Sequence, residues 1–357
     1  MNRSWFSLLK MVVLAFGMTA CEYIHEDLEP CPMGLDLTFR YDYNLQRADM
    51  FSDHVGVVTV YLFDENGNYL MQQSESNTAA DAPLRAKDYT MHFDLQPGRY
   101  QYLVLACQKD FDYGRADEGA KFRRSEPGEN GMMEDLSVTL DHEVAGNTHI
   151  VPHDNLPLDT IWHGMQTTPV EVVLDKITRD TVSLVRNTKQ IHVALREIDE
   201  PQSIDIAEYD LRIIDHNHRL LWDNSVDESK ELTYTPYATW NTSDKDMEGQ
   251  IGDPGMIAHA DFMTSRLLYH DRADEDAILS ITNKETGVEV VRVNLPDLLS
   301  RLRTSAEIYR YTPQEFLDRG YDYQLTFFLK GDTWEYVNVE ISVLSWAKRI
   351  QYEHIEL

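Results

Sequence analysis

Leu35-Asp-Leu-Thr-Phe-Arg-Tyr-Asp-Tyr43 is the stretch on which the fold turns. Leu35, Leu37, Phe39, Tyr41 and Tyr43 alternate with Asp36, Thr38, Arg40 and Asp42, so an extended segment here has one apolar and one polar face. A helix would repeat its apolar positions every three or four residues instead. Downstream, Val55–Phe63 is a denser run rich in β-branched residues, as a central strand requires. It ends at Asp64-Glu-Asn-Gly-Asn68, a hairpin turn leading to Tyr69–Met71. Met91–Leu95 alternates again, Gln96-Pro-Gly98 turns, and Arg99–Cys107 reads as a second buried strand. Residues 108–135 are polar and without regular spacing, which predicts a long surface loop. Leu136–Leu140 and Val170–Leu174 return to strand pattern around an irregular stretch, 141–168. About seven strands at this spacing predict a β-sandwich.

A second cycle opens near Arg186. Ile191–Leu195, Tyr209–Ile214, Arg219–Trp222, Ala277–Thr282 and Val288–Val293 read as strands. Two helix candidates follow. Leu295–Arg303 places Leu295, Leu298, Leu299 and Leu302 on one face. Thr312-Pro-Gln-Glu315 is a capping box with Pro at the first helical position, and Gly320 is placed to end that helix. Tyr321–Leu329, a turn at 330–332 and Val337–Val343 form a closing hairpin, and the apolar tail 346–357 shows no partner within the sequence. The expected architecture is all-β: two sandwich domains in tandem, 33–184 and 185–357, with one or two short helices in the second.

The start of the chain has a different character. Arg3 and Lys10 precede an apolar run that ends on Met18-Thr-Ala-Cys21, the layout of a secretory signal over residues 1–20. The run is shorter than the about 20 residues that span a bilayer. Its end is similar to a lipoprotein signal, in which Cys21 becomes the lipidated first residue of the mature chain; an ordinary signal with a chance Cys is the alternative. Residues 21–32 are acidic and aperiodic, an extended tether. Acidic residues behind such a Cys also resemble surface-export signals of Bacteroides-type lipoproteins.

The chain carries 61 acidic and 32 basic residues, a net charge of −29, and loss of Arg3 and Lys10 with the signal brings it to about −31. Such a charge repels phosphate backbones and anionic head groups, which argues against nucleic acid and against electrostatic membrane docking. Lipid is left as the tether, each buried methylene of a palmitate-class chain contributing about 0.8 kcal/mol. Beyond Cys21, the chain has Cys31 and Cys107. In an oxidising compartment they either bridge or stay as thiols, and a bridge across this span would stabilise by roughly 4.5 kcal/mol in the chain-entropy model.

Catalytic chemistry finds no support. No nucleophile elbow, phosphate loop, dinucleotide fingerprint or zinc helix motif is present. Asp64-x-Asn66-x-Asn68 has Gly67 at the fourth rather than the sixth position of a calcium loop, so a hairpin turn explains it better. Asp215-His-Asn-His218 offers two imidazoles with no third ligand nearby in sequence. No metal, cofactor or enzymatic activity is therefore expected. Asp159-Thr-Ile and Asp180-Thr-Val match a short Bacteroides-type O-glycosylation pattern, which nominates Thr160 and Thr181.

Several pieces together resemble a known family. They are Cys31-Pro, Leu35–Asn44, Ala48–Phe51, Val57–Gly67, Leu95–Tyr100, Leu184–Ile191 (LVRNTKQI) and Trp346–Gln351 (WAKRIQ). They resemble the anchor subunits of Bacteroides-type fimbriae, the major and minor fimbrium anchoring family. The resemblance implies two transthyretin-like β-sandwich domains, a lipid on Cys21, and a place at the base of a fibre in the outer membrane, facing the exterior. It also implies a fimbrial shaft partner joined by β-strand addition and an influence on fibre length. Stalk and tip subunits share the fold, and a surface glycan-binding lipoprotein is the reading from another class. The tail 346–357 is then either an inserting strand or a terminal strand packed in its own domain.

Overall fold

The computed structural model describes residues 32–77, 81–109, 119–198, 204–243, 255–303, 310–331, 333–343 and 346–353. The signal segment, Cys21, Cys31, nearly all of the tether and residues 354–357 lie outside the described residues.

Strand Gly34–Arg40 is the middle of a three-stranded sheet, parallel to Ile177–Ser183 and antiparallel to Thr90–Phe93. Leu35, Leu37 and Phe39 are buried, as their alternation requires. Against them packs a five-stranded sheet in the order Val185–Arg186, Ile161–Val172, Gly98–Cys107, Val57–Asp64, Tyr69–Ser76. Val58, Val60, Leu62, Tyr102, Val104 and Trp162 fill the space between the two sheets.

The odd-numbered neighbours in the same strands face the other way. Tyr61, Phe63, Leu103, Leu105 and Cys107 belong to a second core, covered by a four-stranded sheet. This explains why 57–63 shows almost no polar alternation, since both of its faces are buried. The exception is Thr59, whose hydroxyl pairs with Ser74 Oγ at 2.8 Å and accepts from Arg124 at 3.0 Å.

The covering sheet runs Val226–Asp227, Arg219–Leu221, Ser137–Leu140, Phe122–Arg124. Two of its strands come from each half of the sequence, joined through Leu220 opposite Val138. The predicted surface loop 108–135 therefore contains a strand, and Ala120, Phe122 and Met133 are buried. A three-residue strand is too short to display a period. The expected irregular stretch 141–168 likewise holds most of Ile161–Val172, with a register shift between Gln166 and Val170.

The second sandwich pairs two six-stranded sheets. One runs Ala238–Ser243, Met256–Thr264, Lys189–Glu197, Asp322–Lys330, Thr333–Val343, Trp346–Glu353. The other runs Glu289–Asn294, Ile278–Asn283, Tyr209–Asp215, Leu232–Tyr234, Thr148–Ile150, Glu143–Ala145. Ile191, Val193, Phe262, Leu325 and Phe327 share one core with Leu211, Ile213, Leu279 and Ile281. Both predicted helices form, Leu295–Ser300 and Pro313–Arg319, with Asn294 and Thr312 as caps whose side chains accept from Asp297 N and Glu315 N. Phe51–His54 adds a single helical turn in the first sandwich, where none was predicted.

Candidate functional site

Segment 184–191 connects the sandwiches, and its charged residues point inward. Lys189 shares the parity of Ile191, Val193 and Leu195, so its side chain enters the molecule. Its Nζ donates to the carbonyls of Leu317 (2.5 Å) and Gly320 (2.8 Å), with those of Asp318 and Arg186 at 3.3 and 3.4 Å. Leu317 and Gly320 are the last turn and cap of Pro313–Arg319, where unsatisfied carbonyls and the negative end of the helix dipole attract a cation. Burial pulls the Lys189 pKa down to about 7, against the opposing effect of the Asp318 charge.

Arg266 holds the same helix from the side, meeting both carboxylate oxygens of Asp318 at 2.8 and 2.7 Å. Asp318 also accepts from Gln314 at 3.1 Å. Arg186, 4% exposed, lies 4.2 Å over the Tyr321 ring. Arg319 lies 3.9 Å over Tyr43, and Arg47 donates to Tyr311 Oη at 3.0 Å. Arg266–Asp318 and Gln314–Asp318 lie within the second sandwich, whereas the Arg186, Arg319–Tyr43 and Arg47–Tyr311 contacts join the connector or first-half residues to it. Desolvated cations over ring faces contribute up to about 2 kcal/mol, more than exposed ion pairs at about 0–1 kcal/mol.

The other end of the second sandwich presents an edge. Trp346–Glu353 pairs antiparallel with Thr333–Val343 from Val343 opposite Trp346 to Tyr336 opposite Glu353. Among the described residues it is the last strand of its sheet. One side of its backbone is therefore unpaired there, the feature that accepts an added strand. On the outer face of the same sheet, His192 Nδ1 is 2.7 Å from Asp261 and Nε2 is 3.3 Å from Asp322. Hydrogen bonds to those two carboxylates raise its pKa to about 9.

The residues singled out from the sequence are not brought together. Cys107 is buried at the end of Gly98–Cys107, and Cys31 lies outside the described residues. Thr181 is exposed on Ile177–Ser183, whereas Thr160 is 5% exposed, so a glycan there would require the segment to open. Asp64 uses its carboxylate to close the turn, accepting from Asn66 N, Asn68 N and Asn68 Nδ2 at 2.8, 2.9 and 2.7 Å. Asn217 donates to Asp215 at 2.6 Å and accepts from Tyr234 Oη at 2.6 Å, while His216 and His218 turn toward Glu231 and Asp227. No group of three side chains suited to a metal ion occurs among the described residues. The connector cations went unassigned from the sequence; the available signal was a Lys at an inward-facing strand position.

Comparison with known proteins agrees with this architecture. The profile of the fimbrillin-A associated anchor proteins Mfa1 and Mfa2 matches residues 28–352. Among curated proteins, none matches. Among solved structures, a candidate adhesin from Bacteroides thetaiotaomicron is 28% identical, covers 91% of this chain and all of its own, and gives a TM-score of 0.74. A candidate polysaccharide-binding protein from the same organism is 29% identical over 90% of this chain and 99% of its own, with a TM-score of 0.68. The fimbrial anchor protein Mfa2 of Porphyromonas gingivalis shares the fold, at 17% identity over 89% of this chain and 99% of its own, with a TM-score of 0.56. With the profile spanning both sandwiches and the connector between them, the chain belongs to the family of fimbrillin-A associated anchor proteins.

Proposed function

We propose that this protein is a non-catalytic, lipid-anchored subunit of the outer membrane that faces the cell exterior, ties a fimbrial shaft to the surface and helps set fibre length. The observation that carries the reading is the family match from residue 28 to residue 352, which begins within the acidic tether just behind Cys21. The lipid on Cys21 supplies the tether; among the described residues no helix is long and apolar enough to cross a membrane. An extended segment of the shaft subunit adds alongside Trp346–Glu353, by main-chain hydrogen bonds. The connector cations carry tension from that edge to the first sandwich. Cys31 bridged to buried Cys107 would staple the tether's end to a core strand, and Thr181 is the accessible one of the two glycosylation candidates.

Cys21→Ala tests the anchoring role. Protein and fibres are expected to appear together in the medium, measured by fractionation and immunoblot. Protein released alone, with fibres still on the cells, would overturn it.

A further inference from the structure

The first sandwich has two ends. At one, Arg40 lies opposite Ser183, and Leu184 donates to Arg40 O as the chain passes into the connector. At the other, Gly34 lies opposite Ile177, Leu35 opposite Phe93, and Gly98 opposite Val172. The chain therefore enters from the tether beside the turns 94–97 and 173–176. Cys21 precedes Gly34 by thirteen residues and lies within about 45 Å of it, at the ~3.3–3.6 Å per residue that a chain can span. A membrane holding Cys21 is met at this end.

Turn 173–176 has an apolar apex. Asp175, with φ of 56°, takes the left-handed position that Asp and Asn tolerate. Leu174 serves no such purpose: it is 67% exposed and belongs to neither core, and Val173 beside it is also exposed. Continuing the ladder past Gly98 and Val172 brings exposed Pro97 alongside Val173. Lys176 is exposed in the same turn.

The surroundings limit what such an apex can do. Asp94, Glu171 and Asp175 are exposed around it, so it cannot sink deeply into hydrocarbon, and the chain's charge of −29 gives no attraction to anionic head groups. Shallow insertion remains: Pro97, Val173 and Leu174 at the boundary of head groups and acyl chains, with the Lys176 stem alongside and its ammonium in the polar layer. Two or three apolar side chains would not hold a free protein on a bilayer. A lipid on Cys21 already confines the chain there, so the apex has only to orient it. We propose that this end of the first sandwich rests on the bilayer that holds Cys21, with Val173 and Leu174 inserted in its surface. The connector and the second sandwich then extend away from the membrane. The inference rests on the lipid reading of Cys21 and adds to it the protein surface that meets the membrane.

The photo-crosslinking residue p-benzoylphenylalanine would replace Leu174 or, as a control, Val144, which is 70% exposed but lies in a sheet of the second sandwich. The full-length lipidated chains would be reconstituted into vesicles of radiolabelled phosphatidylcholine and phosphatidylethanolamine, floated and irradiated. Phospholipid label at 174 is expected to exceed that at 144 by about fivefold or more, and to be lost when Cys21→Ala is added to the chain. With the probe at Pro97, Val173→Asp together with Leu174→Asp should lower the label by about fivefold while flotation and melting temperature hold, both side chains being exposed. Flotation with no label at 174, equal label at 174 and 144, or crosslinking of 174 to a second copy of the chain would each overturn the membrane contact and leave the lipid anchor standing. A wild-type chain that does not float would overturn the lipid reading, and this inference with it.

Discussion

Lys189 shows how one side chain holds two elements. Its ammonium donates to the carbonyls at the end of Pro313–Arg319, which no backbone N–H of the helix reaches. Lys189→Met keeps the shape and removes the donors, so carbonyls stay buried and unsatisfied. A loss of about 2–4 kcal/mol is expected in urea unfolding, and a wild-type midpoint would refute that role. His192 makes a pH-dependent contribution of the opposite location, on the outer face. Its folded pKa of about 9 lies above the unfolded value, so the stability it adds is complete below about pH 6.5 and is lost as pH rises through 9. The difference in unfolding free energy between wild type and His192→Asn should be on the order of 1 kcal/mol at pH 6 and shrink toward zero by pH 10. A pH-independent difference would show that the imidazole contributes by packing alone.

At the scale of the element, the terminal strand is the informative piece. Trp346–Glu353 is paired on one side, within its own sheet, which matches the alternative of a terminal strand packed in its own domain. Shaft docking then means adding a strand beside it or exchanging it. Deleting 346–357 removes one edge of a six-stranded sheet and leaves the core strands Lys189–Glu197 and Asp322–Lys330 paired. The truncated protein should fold with a melting temperature lower by several degrees, since each 1 kcal/mol is worth about 2–4 °C at this size. Its cells should shed fibres. Normal fibre retention by a folded truncation would exclude this edge as the docking site. The helices were readable because their signals are local: Leu295, Leu298, Leu299 and Leu302 recur at helical spacing, and Thr312 caps Glu315 N three residues on.

At the scale of the whole molecule, the two halves of the sequence that meet near residue 184 share strand pairs and a core. Ser137–Leu140 hydrogen-bonds with Arg219–Leu221, and Ile150 lies opposite Thr233 in the second sandwich's sheet. One core also runs from Tyr61 and Leu103 through Val138 and Leu220 to Ile213. Calorimetry should therefore show one cooperative transition. Two well-separated transitions would mean that the shared sheet couples the halves weakly.

What the sequence determined by itself is what depends on near neighbours. Alternation from Leu35 to Phe39 follows from the two-residue period of side chains along a strand, and the Asp64–Asn68 turn from a carboxylate within reach of two following amides. Strands whose pattern is faint escaped it. Met256–Thr264 buries two small residues, Ala258 and Ala260, beside Phe262, so its inward face carries little hydrophobic signal. Only the tertiary structure decided which strands from opposite halves share a sheet, where Lys189 finds the carbonyls of Leu317 and Gly320, 128 and 131 residues away, and how Phe39, Phe51 and Tyr89 come to stack. Those arrangements are set by long-range pairing and burial, which act on chain segments brought together only when both cores close.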